Sequence, residues 1–222
     1  MSKLFIVANL KSNKNEDEAK TWLETFKKIT LNQEIISDKE VIISPSFIHL
    51  NLFRDFILQN NLPVKLAAQN SSPFGEGPHT GEVNAKQIKD YADYVLVGHP
   101  ERRNNFNESE ELLFKKTDAA IAQGLNCIYC VQGEDSKIPA GIKLIAYEPV
   151  FAIGSGNPDT PENADTIAKN YLDINDEYLI LYGGSVTSQN VANFTKKENI
   201  KGVLVGGASL DSEEFIKIIE NA

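Results

Sequence analysis

Short runs of Val, Ile, Leu, Phe and Tyr recur along the chain, and most are separated from the next by a segment whose apolar residues repeat with helical spacing. Runs at residues 4–10, 40–44, 64–69, 94–97, 126–131, 143–147, 178–182 and 202–205 predict eight strands. Helices are predicted at 16–29, 47–60, 84–91, 108–123, 161–172, 188–196 and 212–220. Several open with Ser, Thr, Asp or Asn, whose side chains accept from the free N–H groups of a first turn. The missing helix belongs between strands five and six, where Gly133, Pro139 and Gly141 break a segment too short for a full crossover. Near-strict alternation of this many strands predicts an α/β fold: a closed (β/α)8 barrel of eight parallel strands, with the helix after strand five missing or vestigial. No Pro/Ser linker divides residues 1–222, so one barrel domain is expected. The wall left bare by the absent helix needs cover, from neighbouring elements or from a protein partner.

Composition narrows the class without changing the fold. Of 222 residues, 41% are hydrophobic, and 22 Lys and Arg stand against 31 Asp and Glu for a net charge of −9. An acidic chain without basic, aromatic-interleaved runs is not expected to bind nucleic acid. Apolar runs such as 4–8 and 203–205 fall far short of the roughly 20 residues that span a bilayer, so no membrane association is expected. Without a signal-like apolar core near Met1, a cytoplasmic location is expected. Cys127 and Cys130 have C-x-x-C spacing, but inside a strand residues three apart face opposite ways, which suits neither a redox turn nor metal chelation. His49, His79 and His99 are scattered, and no metal site is expected.

In such barrels the chemistry sits at the C-terminal ends of strands. These ends carry Asn9 and Lys11, Gln69 and Asn70, His99 and Glu101, and Glu148; the last two strands end in Gly183-Gly-Ser185 and Gly206-Gly-Ala208. A lone strand-end Glu is more often solvated surface, and a Gly-Gly pair is more often a tight turn. Together, however, a Lys, a His and a Glu on one rim form a proton-transfer set, and two glycine pairs on consecutive ends suit backbone N–H donors to a phosphate. Glu148 is followed by Pro149 and an apolar, glycine-bearing stretch that suits a lid.

Ala8-Asn-Leu-Lys11, Val97-Gly-His-Pro-Glu-Arg-Arg103, Ala146-Tyr-Glu-Pro-Val-Phe-Ala-Ile-Gly-Ser-Gly156, Tyr182-Gly-Gly-Ser185 and Val205-Gly-Gly-Ala-Ser-Leu210 closely resemble the motifs of the triosephosphate isomerase family, in the family's order. Ala68-Gln-Asn70 and Thr80-Gly-Glu82 match its third loop. The resemblance implies a compact TIM barrel that interconverts dihydroxyacetone phosphate and D-glyceraldehyde 3-phosphate through an enediolate, in glycolysis and gluconeogenesis, with no cofactor and no metal. It implies Glu148 as base, neutral His99 as electrophile and proton shuttle with its ring accepting from the Glu101 N–H, Lys11 and Asn9 beside the developing oxyanion, and Glu101 holding Lys11. Phosphate binding falls to the backbone at Gly154, Ser185, Gly206 and Gly207. Pro149, Val150, Phe151, Ala152, Ile153, Gly154, Ser155 and Gly156 form the lid. The loop with Thr80, Gly81 and Glu82 implies a homodimer, and the absent helix extends this to a tetramer.

The chain departs from the family's pattern in places. Pro100 stands where the family usually has a Ser whose hydroxyl is expected to bond the resting base, so Glu148 is expected to be held differently. Phe151 and Leu10 replace usual tryptophans, and Asn157-Pro-Asp159 forms an unusual trailing hinge. The fifth loop, Cys130-Val-Gln-Gly-Glu134, is one residue longer than usual. A non-catalytic phosphate-binding barrel of the same family is the alternative reading, which intact Asn9, Lys11, His99 and Glu148 oppose.

Overall fold

The computed structural model describes residues 3–28 and 36–222. Eight parallel strands close in sequence order: β1 Leu4–Asn9, β2 Lys39–Ser44, β3 Val64–Ala68, β4 Tyr94–Val97, β5 Asn126–Val131, β6 Leu144–Tyr147, β7 Leu179–Tyr182 and β8 Ile200–Val205. Period-two alternation sorts their side chains into two layers. Val7, Ile42, Ala67, Leu96, Ile128, Leu181 and Leu204 fill the barrel, whereas Ile6, Ala8, Val203 and Val205 pack outward against helices. Cys127 faces the outer layer and Cys130 the barrel interior, as strand geometry requires of residues three apart. Both thiols are free and buried.

Eight α-helices surround the strands among the described residues: α1 Glu16–Phe26, α2 Leu50–Gln59, α3 Ala85–Lys89, α4 Pro100–Phe106, α5 Glu110–Ala122, α6 Pro161–Ile174, α7 Val191–Thr195 and α8 Ser212–Asn221. The caps explain their starts. Asn15 with Glu18 and Asn84 with Gln87 form reciprocal capping boxes, and Ser109, Thr160 and Asp211 accept from first-turn N–H groups. The predicted end of the first helix, Ile29, lies outside the described residues. The start predicted at Phe47 is a 3-10 turn, Phe47–His49, before α2 proper.

Helix α4 is the element that hydrophobic periodicity misses. Five of its seven residues, Glu101 to Asn105, are polar, and Pro100 reads as a break. At the first helical position, however, proline gives up an N–H that no helix would satisfy, and its fixed φ suits the turn. Asn107, at φ 53°, ends the helix in the left-handed region.

No helix lies between β5 and β6. The segment crosses as an irregular strap with Pro139 and Ile142 buried and Ile138 partly so. Tyr171 Oη donates to the Gly133 carbonyl at 2.5 Å and Asn170 Nδ2 to Glu134 Oε1 at 2.9 Å. The strap and α6 therefore cover the wall from within the chain. Closure of the barrel depends on Gly202: a Cβ there would lie 2.0 Å from the Phe5 carbonyl oxygen of the neighbouring strand.

Candidate active site

The site is assembled on one rim because each reactive group follows a strand. Asn9 ends β1, and Lys11, two residues on, takes a left-handed backbone at φ 53°. That costly conformation is held from two sides: the Lys11 N–H donates to Asn9 Oδ1 at 3.1 Å, and Gln69 Nε2 donates to the Lys11 carbonyl at 2.9 Å. Lys11 Nζ lies 2.5 Å from Glu101 Oε1. His99 caps α4, its Nδ1 accepting from the Glu101 N–H at 3.2 Å. A ring nitrogen that accepts this bond carries no proton, so the tautomer places the proton on Nε2. Nε2 faces Glu148 Oε2 at 3.3 Å.

Glu148 follows β6 and is 4% exposed. Its carboxylate is seated by close approach of the next strand end, since a Cβ on Gly183 would come within 2.7 Å of Glu148 Cγ. The second oxygen, Oε1, is buried without a hydrogen-bond partner among the described residues. A buried acceptor left in this state costs about 1–3 kcal/mol. Pro100, at the first position of α4, has neither hydroxyl nor N–H to offer it.

Burial works against charge on His99, but the facing Glu148 carboxylate, followed by Glu101, more than offsets it and raises the His99 pKa above the ordinary 6.5. The resemblance implies a neutral ring; the Glu101 N–H bond to Nδ1 favours that form, whereas the facing Glu148 carboxylate favours the charged one. Burial, and then the Glu148 charge, push the Cys130 thiol well up, and burial alone pushes Cys127 up to about 12, so neither is a ready thiolate.

A cavity of about 500 Å³ opens beside this pair, lined by Asn9, Lys11, His99, Glu148, Gly154, Ser185, Gly206 and Gly207. Glu101 stands behind Lys11 rather than on the wall. Gly207 opens a 3-10 turn, Gly207–Leu210, and Ser185 adopts φ 50°. Sequence reading does not single out Val186, Thr187, Gln189, Asn190 and Leu204, which also line the cavity. Alternation along β8 was a usable signal for Leu204. Asn190 carried no such signal: it accepts from the Thr187 N–H at 2.8 Å and donates to the Ser185 carbonyl at 3.1 Å, shaping the loop.

The expected lid begins at buried Pro149 with a 3-10 turn, Val150–Ala152, whose Val150 and Phe151 are exposed while Ala152 is buried. Ile153, Gly154 and Gly156 line the cavity, whereas Ser155 is exposed. Ser185 Oγ donates to the Ala152 carbonyl at 2.6 Å and accepts from the Gly156 N–H at 3.2 Å, tying the stretch to the β7 end. The loop after β3, with Thr80, Gly81 and Glu82, is exposed, its base closed by Ser72 N–H to the Val83 carbonyl at 2.9 Å.

A His–Glu contact, a lysine held by Glu101 and glycine-bearing strand ends around one cavity, on the rim of a closed (β/α)8 barrel, form an arrangement suited to proton transfer. The triosephosphate isomerase family model matches residues 4–143 and 141–222, and the chain belongs to that family. The two matched segments meet where the helix after β5 is lacking. Similar curated proteins are the triosephosphate isomerases of Mycoplasmopsis pulmonis, 39% identical over 99% of this chain and 98% of that protein, and of Aquifex aeolicus, 38% identical over 96% and 97%. The triosephosphate isomerase of Thermodesulfovibrio yellowstonii is 36% identical over 99% of this chain and all of its own length.

Proposed function

We propose that the chain interconverts dihydroxyacetone phosphate and D-glyceraldehyde 3-phosphate by proton transfer through an enediolate. The observation that carries this reading is the 3.3 Å contact between His99 Nε2 and Glu148 Oε2 on the wall shared with Lys11. Glu148 removes the carbon-bound proton. A substrate seated between the two groups separates His99 from the charge that raises its pKa, which leaves the Glu101 N–H bond to favour the neutral, Nε2-protonated ring as donor to the carbonyl oxygen. Lys11 and Asn9 act where negative charge develops, and Glu101 holds Lys11 in place. The backbone at Gly154, Ser185, Gly206 and Gly207 takes the phosphate, so local donors overcome a net charge of −9. Closure of residues 149–156 excludes water and limits loss of phosphate. The chemistry calls on no metal and no organic cofactor.

The chain acts as one domain and as a homodimer, in which the loop of Thr80, Gly81 and Glu82 docks on a second copy; a tetramer is the higher assembly. Support comes from apolar exposure around that loop: Phe74 is 51% exposed and Phe106, on the same groove, 62%. The cytoplasm is its proposed compartment, supported by free, buried thiols. No described helix is long and apolar enough to cross a membrane.

A coupled assay on purified protein tests the reaction, with D-glyceraldehyde 3-phosphate as substrate. Formation of dihydroxyacetone phosphate at rates above the uncatalysed background is expected. Absence of turnover while a phosphate-bearing analogue still binds would instead favour the non-catalytic barrel.

A further inference from the structure

Asp159 sits three residues beyond the lid, 9% exposed, and its carboxylate draws three donors. Tyr147 Oη reaches Oδ2 at 3.1 Å, Asn163 Nδ2 reaches the same oxygen at 2.7 Å, and the Thr160 N–H reaches Oδ1 at 2.8 Å. The Asp159 N–H in turn donates to Tyr182 Oη at 2.7 Å. Both tyrosines are the last residues of their strands, paired across β6 and β7. Tyr147 immediately precedes Glu148, and Tyr182 immediately precedes Gly183, which packs on the Glu148 side chain. One residue thus ties the end of the lid to both strand ends that seat the base. At the other end of the lid, Phe151 is 62% exposed and has no polar side-chain group with which to anchor.

We propose that Asp159 is a positioning residue whose carboxylate pins the trailing hinge of the lid to Tyr147 and thereby sets how long the lid stays shut over the enediolate. Burial, then the Asp159 charge, raise the Tyr147 phenol, which keeps it a donor. Placement just before the Thr160 cap of α6 adds the favourable end of the helix dipole to the carboxylate. The consequence for turnover rests on the isomerase reading, whereas the geometry does not. A lid that opens early exposes the enediolate, whose electron pair can expel phosphate by breaking the C–O bond to it, leaving a three-carbon dicarbonyl after tautomerisation.

The test compares the wild type with Asp159→Ala, Asp159→Asn, Tyr147→Phe and the Asp159→Ala/Tyr147→Phe pair. Two readouts are followed: hydrogen exchange of the Gly156 and Asp159 amides, and phosphate released per isomerisation. Asp159→Ala is expected to speed both amides and to raise phosphate release by about tenfold, lowering kcat more than it changes KM. Tyr147→Phe should reproduce the effect, and the pair should add little to either single change. Asp159→Asn, which keeps an oxygen for Tyr147, should recover most of the wild-type behaviour. Wild-type exchange and phosphate release in Asp159→Ala, or full additivity of the pair, would overturn the proposal. If the wild type did not isomerise at all, the functional reading would fail, and amide exchange alone would still decide for or against the clamp.

Discussion

His99 Nε2 meets Glu148 Oε2 at 3.3 Å, while the other oxygen of that carboxylate, Oε1, is buried with no hydrogen-bond partner among the described residues. The pair therefore holds one contact that tunes the histidine and one acceptor free to take a proton. Because Glu148 is what lifts His99 above 6.5, Glu148→Gln should lower the His99 pKa below that value, where burial and Lys11 push it. NMR titration of the ring reads this directly, and an unchanged or higher value would contradict the pairing. The same linkage has a sign: a histidine raised in the folded state contributes stability below its ordinary 6.5 that is lost as the pH rises through the folded value. Free enzyme with a charged His99 lacks the neutral donor, so kcat/KM should fall on the acid side with a pKa above 6.5.

Pro100→Ser restores the residue whose hydroxyl, by resemblance to the family, is expected to bond the resting base, and Glu148 Oε1 has no other partner among the described residues. A hydroxyl that holds resting Glu148 in place through a bond of about 0.5–1.5 kcal/mol is expected to raise kcat by positioning the base rather than by the energy of the bond itself. Steady-state kinetics identical to those of wild type would show that proline at this position carries no penalty.

Gly202→Ala places a methyl group where the Phe5 carbonyl of β1 already stands. Since β1 and β8 pair along this seam, relief requires the barrel to open. A loss of at least about 3 kcal/mol, or failure to fold, is expected in denaturant titrations. A soluble protein with an unchanged midpoint would mean that the seam is looser than the register implies.

The exposed loop gives an assembly prediction. Sedimentation should return twice the chain mass of 24.6 kDa or a higher multiple, and Phe74→Asp should shift the mass toward the monomer. A wild-type monomer would refute both dimer and tetramer.

Much of this architecture is legible in the sequence because each strand of a closed barrel is a short β-branched run bounded by turn residues, and strand ends in such a fold converge on one rim. That logic reaches Asn9, Lys11, His99 and Glu148 without coordinates. It fails at α4, where five polar residues between Pro100 and Phe106 carry no apolar stripe. It also cannot foresee which oxygen of Glu148 is left unpartnered, since that depends on how β4, β6 and β7 approach one another. Asp159 shows the same limit: in the sequence it is one acidic residue in a Pro-containing turn, and only the fold brings Tyr147 and Tyr182 to it.

The most direct measurement is the rate of D-glyceraldehyde 3-phosphate conversion by wild type and by Glu148→Gln, prepared in parallel. With Glu148 as the base, the wild type turns over and the variant loses about 10²–10⁴-fold in kcat, while its fold and its affinity for a phosphate-bearing analogue are kept. Equal rates in the two proteins would mean that the proton is taken by another group and would contradict the assignment at its centre.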